Sequence, residues 1–263
     1  MTSYTIWMPS VIALFVGLLI GSFLNVVIHR LPRKQSLMWP GSHCPACDTS
    51  IAPLDNIPLL SYAFLKGCCR SCGIHITGRY PTVEAVNGLA YGLIVWYFGL
   101  GYQSVIYAAF FSALLAVSYI DFDYQIIPDA ITLPGIGLGV LTAVTVLPTG
   151  LWNSVFGLLL GGGVLFVLAW ISPYLFGKEG MGGGDIKLLA MIGAFLGWKA
   201  VVLTMLIGAI IGAIVGVTLI ACKILRRDQY LPFGPFLALG AIVSMFFHQE
   251  LFNWYVGFIT RAQ

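Results

Sequence analysis

Residues 200–222 read AVVLTMLIGAIIGAIVGVTLIAC, a stretch that contains no charged side chain. A helix needs about 20 predominantly apolar residues to cross a hydrocarbon core of roughly 30 Å, so this stretch is long enough to span a membrane. Within it, Gly208, Gly212 and Gly216 recur at every fourth position. That spacing places small residues on one helix face and favours close packing against a neighbouring helix.

The rest of the chain has the same apolar character. Of its 263 residues, 59% are hydrophobic and only 9% are charged, and the mean hydropathy is +0.93. These values exclude an ordinary soluble domain and predict an all-α polytopic membrane protein with about eight transmembrane helices. The other apolar runs lie at residues 6–28, 82–100, 104–120, 130–147, 152–174, 186–197 and 232–247. The run at 186–197 is short; Gly193 and Gly197 either let it pack closely or make it partly re-entrant.

The basic residues predict the orientation in the membrane. The first apolar run is followed by Arg30, Arg33 and Lys34 and preceded by no Lys or Arg, which is the reverse of a signal peptide. The positive-inside rule therefore places its C-terminal end in the cytoplasm. With eight spans, all 13 Lys and Arg residues except Lys199 and Arg261 fall on that side. Both termini are then expected outside the cytoplasm, and the one long polar loop inside it.

That loop, residues 29–81, carries two C-x-x-C turns, Cys44-Pro-Ala-Cys47 and Cys69-Arg-Ser-Cys72. Two such turns about twenty residues apart match a four-thiolate zinc pattern, in which each turn presents two sulfurs to one metal. The loop is too small to bury a core of its own, so a structural Zn²⁺ would supply much of its folding free energy. Unmetallated or redox-active thiols are the alternative interpretation. Cys68 could also replace Cys69 as a ligand.

Two aspartates lie at the ends of apolar runs. Asp121 follows the run at 104–120, and Asp185 closes the sequence Gly180-Met-Gly-Gly-Gly-Asp185. A carboxylate at a membrane border is costly, so it usually has a partner and a function. Two such carboxyls brought together could share a proton and activate water, which is the chemistry of an aspartic protease.

Helix capping is the competing interpretation of these acidic residues. Asp129 follows Pro128 and precedes an apolar run, so we expect it at the N-cap of a helix. Asp185 also precedes an apolar run, and local sequence alone gives it an equal claim to a capping role. The three glycines before Asp185 favour a functional role, because they are looser than a cap requires and allow close approach to the carboxylate. Asp123 is expected to be solvated or to hydrogen-bond with the active pair.

Several motifs together resemble one protein family. Gly182-x-Gly184-Asp185 matches the GxGD signature of intramembrane aspartyl proteases. The complete set resembles the type IV prepilin peptidases of bacteria. The matching segments run in family order along almost the whole chain: GSFLNVVIHR at 21–30, the double C-x-x-C, RYPTVE at 79–84, IDFD at 120–123 with IPD at 127–129, and GKEGMGGGDIKLL at 177–189.

The resemblance implies a multi-pass enzyme of the bacterial inner membrane, with periplasmic termini and a cytoplasmic loop. It places the catalytic aspartates at Asp121 and Asp185. These would remove the short basic leader of type IV prepilins and type II secretion pseudopilins at the cytoplasmic face, after the leader glycine. The resemblance also implies a second activity, N-methylation of the newly exposed residue, usually Phe, with S-adenosylmethionine as methyl donor. A related GxGD protease without methyltransferase activity is the alternative function.

The methyl donor is expected to bind on the loop or at the adjoining helix ends. The sequence has neither a glycine-rich dinucleotide fingerprint nor a separate soluble methyltransferase domain. Polar residues in the expected region include Asn25, Glu84 and Asn87, and the last two are three positions apart and therefore share a helix face. These residues either bind S-adenosylmethionine or the amine, or pair with Arg30 or Arg79.

The expected organisation is a first transmembrane helix at 1–28, a zinc-knuckle loop and candidate methyltransferase region at 29–81, and a membrane-embedded peptidase core at 82–263. A transporter would explain the apolar runs and the carboxylates, but it would not need the double C-x-x-C. A zinc-ribbon scaffold would explain the loop and leave the GxGD aspartate without a function. The basic residues of the loop are expected to meet the head groups of anionic membrane lipid rather than nucleic acid.

Overall fold

A computed structural model describes residues 4–44, 46–176, 182–224 and 231–261, which form nine α-helices and no β-strand. Residues 177–181, the first part of the GKEGMGGGDIKLL motif, lie outside the described residues. The helices are α1 Tyr4–Arg30, α2 Leu60–Phe64, α3 Arg79–Phe98, α4 Tyr102–Tyr124, α5 Asp129–Thr145, α6 Leu151–Phe176, α7 Gly183–Leu196, α8 Trp198–Ala221 and α9 Gly234–Arg261. The predicted all-α fold is confirmed.

The eight long helices occupy the eight predicted apolar runs, and α2 is a short helix within the loop. Four helices are long and apolar enough to cross a membrane: Trp7–Arg30 of α1, Tyr102–Tyr124 of α4, Leu151–Tyr174 of α6 and Trp198–Ala221 of α8. Shorter apolar segments form α5 and the first part of α9. The protein is therefore polytopic, and the crossing of the membrane by all eight helices stays a prediction.

The chain divides into two compact units, residues 1–116 and 117–263, with the boundary inside α4. In the first unit, α1 packs against α3. A Cβ atom added to Gly17 would lie 2.7 Å from Tyr91 Cβ, and one added to Gly21 would lie 2.7 Å from Glu84 Cα. Glycines therefore allow these two helices to approach more closely than larger residues would permit.

In the second unit, α7 lies at the centre and packs against α5, α6, α8 and α9. All of its residues from Leu188 to Leu196 are buried. The helix is short because protein rather than lipid surrounds it, and the predicted close packing through Gly193 is confirmed by its contact with Gly157 of α6. The predicted packing face of α8 is also confirmed, since a Cβ on Gly208 would lie 3.1 Å from the Phe236 carbonyl oxygen of α9.

Candidate active site and metal centre

Asp121 is held in the last turn of α4. Its side chain is only 6% exposed, and its Oδ2 accepts a hydrogen bond of 2.9 Å from the backbone N–H of Gly234. Gly234 is the first residue of α9, where the N–H groups of a helix have no intrahelical acceptor. The carboxyl is thus satisfied by a helix that lies more than a hundred residues further along the chain.

Asp185 lies in the first turn of α7, whose N-cap is Gly182. Its carboxyl accepts a hydrogen bond from the Gly182 backbone, and its own N–H donates to the Gly182 carbonyl at 3.2 Å. Asp185 is therefore three residues inside the helix and is not its N-cap. Its Oδ1 is buried and has no hydrogen-bond partner among the described residues. A buried acceptor without a partner is costly.

The structure brings Asp121 and Asp185 together, close enough for the charge of Asp121 to act on Asp185. Two carboxyls at short range in a buried setting cannot easily both ionise. A pair that shared one proton could offer one carboxylate to accept a proton and one carboxylic acid to donate one, as in an aspartic protease. The catalytic role of the two residues stays a prediction.

Ile127, in the connection between α4 and α5, packs against the start of α7, the helix that carries Asp185. A Cβ on Gly184 would lie 2.8 Å from Ile127 Cβ, whereas a Cβ on Gly183 would meet no atom of the described residues within 4 Å. The predicted looseness of the glycine run is therefore uneven. Gly184 is required by packing, whereas no described atom lies against Gly183.

The neighbouring acidic residues have other surroundings. Asp123 is exposed, as predicted for a solvated residue. Asp129 is the first residue of α5, and the N-cap is Pro128, so the predicted capping role of Asp129 is wrong. Its carboxylate instead pairs with the Lys187 ammonium of α7, at 2.7 and 2.8 Å. A long-range ion pair satisfies the carboxylate better than the nearby backbone does, and local sequence could not reveal it.

The cysteines of the two C-x-x-C turns converge on one point. Their sulfur atoms all lie within 4.8 Å of one another, and those of Cys44 and Cys72 are 3.8 Å apart. Tetrahedral zinc with Zn–S bonds of about 2.3 Å separates its sulfurs by roughly 3.8 Å. The donor set therefore fits a structural Zn²⁺, with the ligands Cys44, Cys47, Cys69 and Cys72.

The two C-x-x-C turns have equivalent backbone hydrogen bonds. The N–H of Cys44 donates to the Thr49 carbonyl at 3.0 Å, and the N–H of Cys69 donates to the Ile74 carbonyl at 2.9 Å. Isolated bridges pair His43 with Ser50 and Cys68 with His75. Cys68 thus occupies the position of His43, before the first ligand of its turn. The described cluster contains the Cys69 sulfur and not that of Cys68, which faces the Lys66 carbonyl at 3.6 Å.

The pKa values of the clustered thiols shift in opposite directions. Hydrogen bonds from Thr49 lower the pKa of Cys47 to about 6. A backbone hydrogen bond from Ile74 favours the thiolate of Cys72 and lowers its pKa. Desolvation and the neighbouring sulfurs outweigh this effect and raise the pKa of Cys72 to about 11. Four thiolates cannot gather without a cation, which is what a metal provides.

The predicted cofactor-binding residues are held by hydrogen bonds within the first unit. Asn87 is fully buried; its amide donates to the Gly17 carbonyl at 2.8 Å and accepts from the Ser112 hydroxyl at 2.8 Å. Glu84 Oε2 accepts from the Leu59 N–H at 2.9 Å. These contacts join helices and anchor the loop.

Asn25 completes this set, and its amide donates to the Tyr80 carbonyl at 3.1 Å. Arg30 does not pair with Glu84, since its guanidinium donates to the carbonyls of Ser36 and Gly41, each at 3.1 Å. A role of Asn25, Glu84 and Asn87 in binding S-adenosylmethionine stays a prediction.

Family models and curated proteins match this chain over most of its length. Residues 15–98 match the Bacterial Peptidase A24 N-terminal domain, and residues 108–217 match the Type IV leader peptidase family. A curated prepilin leader peptidase/N-methyltransferase from Stutzerimonas stutzeri is 37% identical, with 94% of this chain and 93% of that protein covered. The proteins of that name from Pseudomonas aeruginosa and Aeromonas salmonicida are 37% and 36% identical, with 93% and 96% of this chain and 92% and 96% of those proteins covered. No solved structure matches the chain significantly. The similarity extends over nearly the whole length, and the protein belongs to the type IV leader peptidase family.

Proposed function

We propose that this multi-pass protein of the inner membrane removes the leader peptide of prepilins and pseudopilins and then methylates the new N-terminal residue. Asp121 and Asp185 are the peptidase pair of this proposal. The observation that carries it is the meeting of the two carboxyls, from α4 and α7, with Asp121 6% exposed and one oxygen of Asp185 buried without a partner among the described residues. A purely capping role explains neither feature.

Cleavage in this proposal uses one shared proton. The ionised carboxyl takes a proton from a water molecule as that water attacks the scissile carbonyl carbon. The protonated carboxyl donates a hydrogen bond to the carbonyl oxygen and later helps to protonate the leaving amine.

The substrate and the orientation follow from the same proposal. With both termini in the periplasm, the ends of α4 and α7 that carry the two aspartates lie on the cytoplasmic side, where a short basic leader would be. The apolar helix that follows the leader in the substrate would remain in the membrane. The basic residues of the loop then face anionic lipid head groups.

Zinc has a structural role in this proposal. Cys44, Cys47, Cys69 and Cys72 would hold it, and a closed four-thiolate site leaves no open position for catalysis. The metal would link the two turns. Next to them, Arg70 donates to both Asp55 carboxylate oxygens, at 2.6 and 2.8 Å, and this hydrogen bonding holds the pKa of Asp55 below its usual range.

The methyl donor is S-adenosylmethionine, used as a substrate. We place the methyltransferase activity in the loop at 29–81 and the helix ends beside it. Glu84 supports the activity by anchoring the loop through Leu59, whereas Asn87 and Asn25 hold helices together.

Replacement of either aspartate tests the peptidase assignment. Asp121→Asn and Asp185→Asn keep the side-chain volume and remove the acid/base pair, so each should abolish cleavage of a purified prepilin while the protein remains in the membrane. Asp123→Asn is the matched control, and it should retain most activity because Asp123 is exposed. Wild-type cleavage by either of the first two variants would remove that residue from the pair. An equal loss in Asp123→Asn would show that the wrong member of the Asp-x-Asp sequence had been chosen.

A further inference from the structure

Helix α9 donates a hydrogen bond to the aspartate pair, although the two aspartates themselves lie on α4 and α7. The contact is the hydrogen bond of 2.9 Å from the Gly234 N–H to Asp121 Oδ2. The match to the Type IV leader peptidase family ends at residue 217, so α9 lies outside it. The first N–H groups of a helix are unpaired within that helix, and this one is directed at a carboxyl. Such an N–H donor at the positive end of a helix favours a fixed, negatively charged acceptor.

Residue 234 has no room for a side chain. A Cβ at this position would lie 2.7 Å from Asp121 Oδ2 and 3.3 Å from Asp121 Cγ. Real Cβ atoms essentially never approach another atom closer than 3.0 Å, so an added methyl group must displace either the carboxyl or the start of α9. Glycine is thus required here by the position of the catalytic carboxyl itself.

Ile127 lies between the starts of α7 and α9. A Cβ on Gly184 would meet Ile127 Cβ at 2.8 Å, and a Cβ on Gly234 would meet Ile127 Cδ1 at 3.3 Å. The segment from Asp121 to Ile127 is itself turned tightly, since the Gln125 N–H donates to the Asp121 carbonyl at 2.8 Å and Gln125 has a φ of 54°. One side chain therefore separates the helix start that carries Asp185 from the helix start that binds Asp121.

We infer that Gly234 and Ile127 are positioning residues of the peptidase: the Gly234 N–H fixes the orientation of the Asp121 carboxyl, and Ile127 sets the separation of the two helix starts. The inference rests on the assignment of Asp121 and Asp185 as the catalytic pair. It extends the site to α9, so three helices rather than two determine its geometry. A misplacement of about 1 Å in a catalytic group can cost roughly a hundredfold in rate.

Kinetics of Gly234→Ala test the inference. The added methyl should lower kcat for prepilin cleavage by at least about tenfold and leave KM within about twofold, because it moves a reacting group and not a substrate-binding surface. Gly208→Ala is the matched control, since its Cβ would press on the Phe236 carbonyl of α9 at 3.1 Å without touching Asp121. An equal kcat loss in Gly208→Ala, or a Gly234→Ala enzyme within twofold of wild type, would overturn the inference.

Ile127 is tested with two glycines. Gly184→Ala should lose cleavage strongly because its Cβ collides with Ile127, whereas Gly137→Ala in α5 should be nearly wild type in kcat because its Cβ meets no described atom within 4 Å. Equal activity of the two variants would exclude Ile127 as the separating side chain. If Gly234→Ala fails to fold, Ile127→Val supplies the kinetic test: it removes Cδ1, adds no bulk and should lower kcat at unchanged KM. A wild-type kcat for this variant would count against the inference.

A measurement that does not depend on activity separates this inference from the proposed function. Asp121→Ala removes the acceptor, so amide hydrogen exchange at Gly234 should become at least about tenfold faster than in wild type. Unchanged exchange would show that the hydrogen bond does not hold the carboxyl. If Asp121→Asn cleaves normally, the proposed function fails; if it is inactive while Gly234→Ala cleaves normally, only the positioning role fails.

Discussion

At the scale of single residues, hydrogen bonds that recur in the two C-x-x-C turns distinguish Cys69 from Cys68 as the predicted metal ligand. Cys69 follows the bridge position of its turn as Cys44 does, and Cys68 takes the place of His43. The sequence favoured Cys69, which has the C-x-x-C spacing to Cys72, and left its neighbour Cys68 as a possible replacement. The hydrogen bonds of the turn distinguish them, and these became visible only in the fold.

We therefore expect Cys69→Ser to lose zinc and Cys68→Ser to retain it. Serine removes the soft thiolate ligand that the metal prefers, while it disturbs the turn little. Metal analysis of the purified protein should give about one zinc per chain for wild type and for Cys68→Ser. Zinc retained in Cys69→Ser but lost in Cys68→Ser would move the ligand by one position.

The same scale shows why part of the site could be predicted. Asp121 and Asp185 stand out in the sequence because a carboxylate beside an apolar run is rare and costly. Gly234 does not stand out, since it is one of 31 glycines and its partner lies far away in the chain. No local signal distinguishes a glycine that must accommodate a carboxyl from one that merely packs between helices.

At the scale of helices, the apolar runs predicted the elements well, because a membrane-type sequence has one main structural solution, the helix. Which helices pack together could not be predicted, since lipid and protein neighbours are equally apolar. Helix α7 illustrates the difference. The predicted run at 186–197 was short and left close packing and a re-entrant segment as alternatives. The structure shows a helix of 14 residues, Gly183–Leu196, that packs against four others.

The α6–α7 contact is expected to be sensitive to a single methyl group. A Cβ on Gly157 would lie 2.7 Å from the carbonyl carbon of Gly197 and 2.9 Å from its Cα. Backbone atoms cannot relieve such a clash by a change of rotamer, as a flexible side chain can. Gly157→Ala should destabilise the protein by about 1–3 kcal/mol, as overpacking typically does. Thermal unfolding in detergent would measure this loss as a lower midpoint.

Gly163→Ala in the same helix is the control, because its Cβ would meet no described atom within 4 Å. Alanine also has a better helix propensity than glycine by about 1 kcal/mol, so this variant should be neutral or more stable. Equal destabilisation of the two variants would mean that helix propensity, and not the α6–α7 contact, governs the response.

At the scale of the whole molecule, the aspartate pair and the cysteine cluster belong to different compact units. Asp121 and Asp185 lie in residues 117–263, and the four thiols and Glu84 lie in residues 1–116. The sequence predicted a first transmembrane helix at 1–28, a loop at 29–81 and a peptidase core at 82–263, and this functional division stays a prediction. The structure places α3 and the first part of α4 with α1, because the glycine-lined contact of α1 with α3 is set by packing and has no counterpart in hydropathy.

This division predicts that the two activities can be separated. Asp185→Asn should lose leader cleavage and still methylate a precleaved pilin whose N-terminus is already exposed, because amine methylation needs an in-line approach to a methyl carbon and no acid/base aspartate pair. Transfer of tritiated methyl groups from S-adenosylmethionine to that pilin measures one activity, and a gel-shift assay measures the other. Glu84→Gln removes the charge of this side chain and retains an oxygen acceptor for the Leu59 N–H. If this variant loses methylation and keeps cleavage, the charge of Glu84, and not its anchoring of the loop, supports methylation. If a folded Asp185→Asn protein loses both activities, the two reactions share residues and the assignment of methylation to the N-terminal unit is wrong.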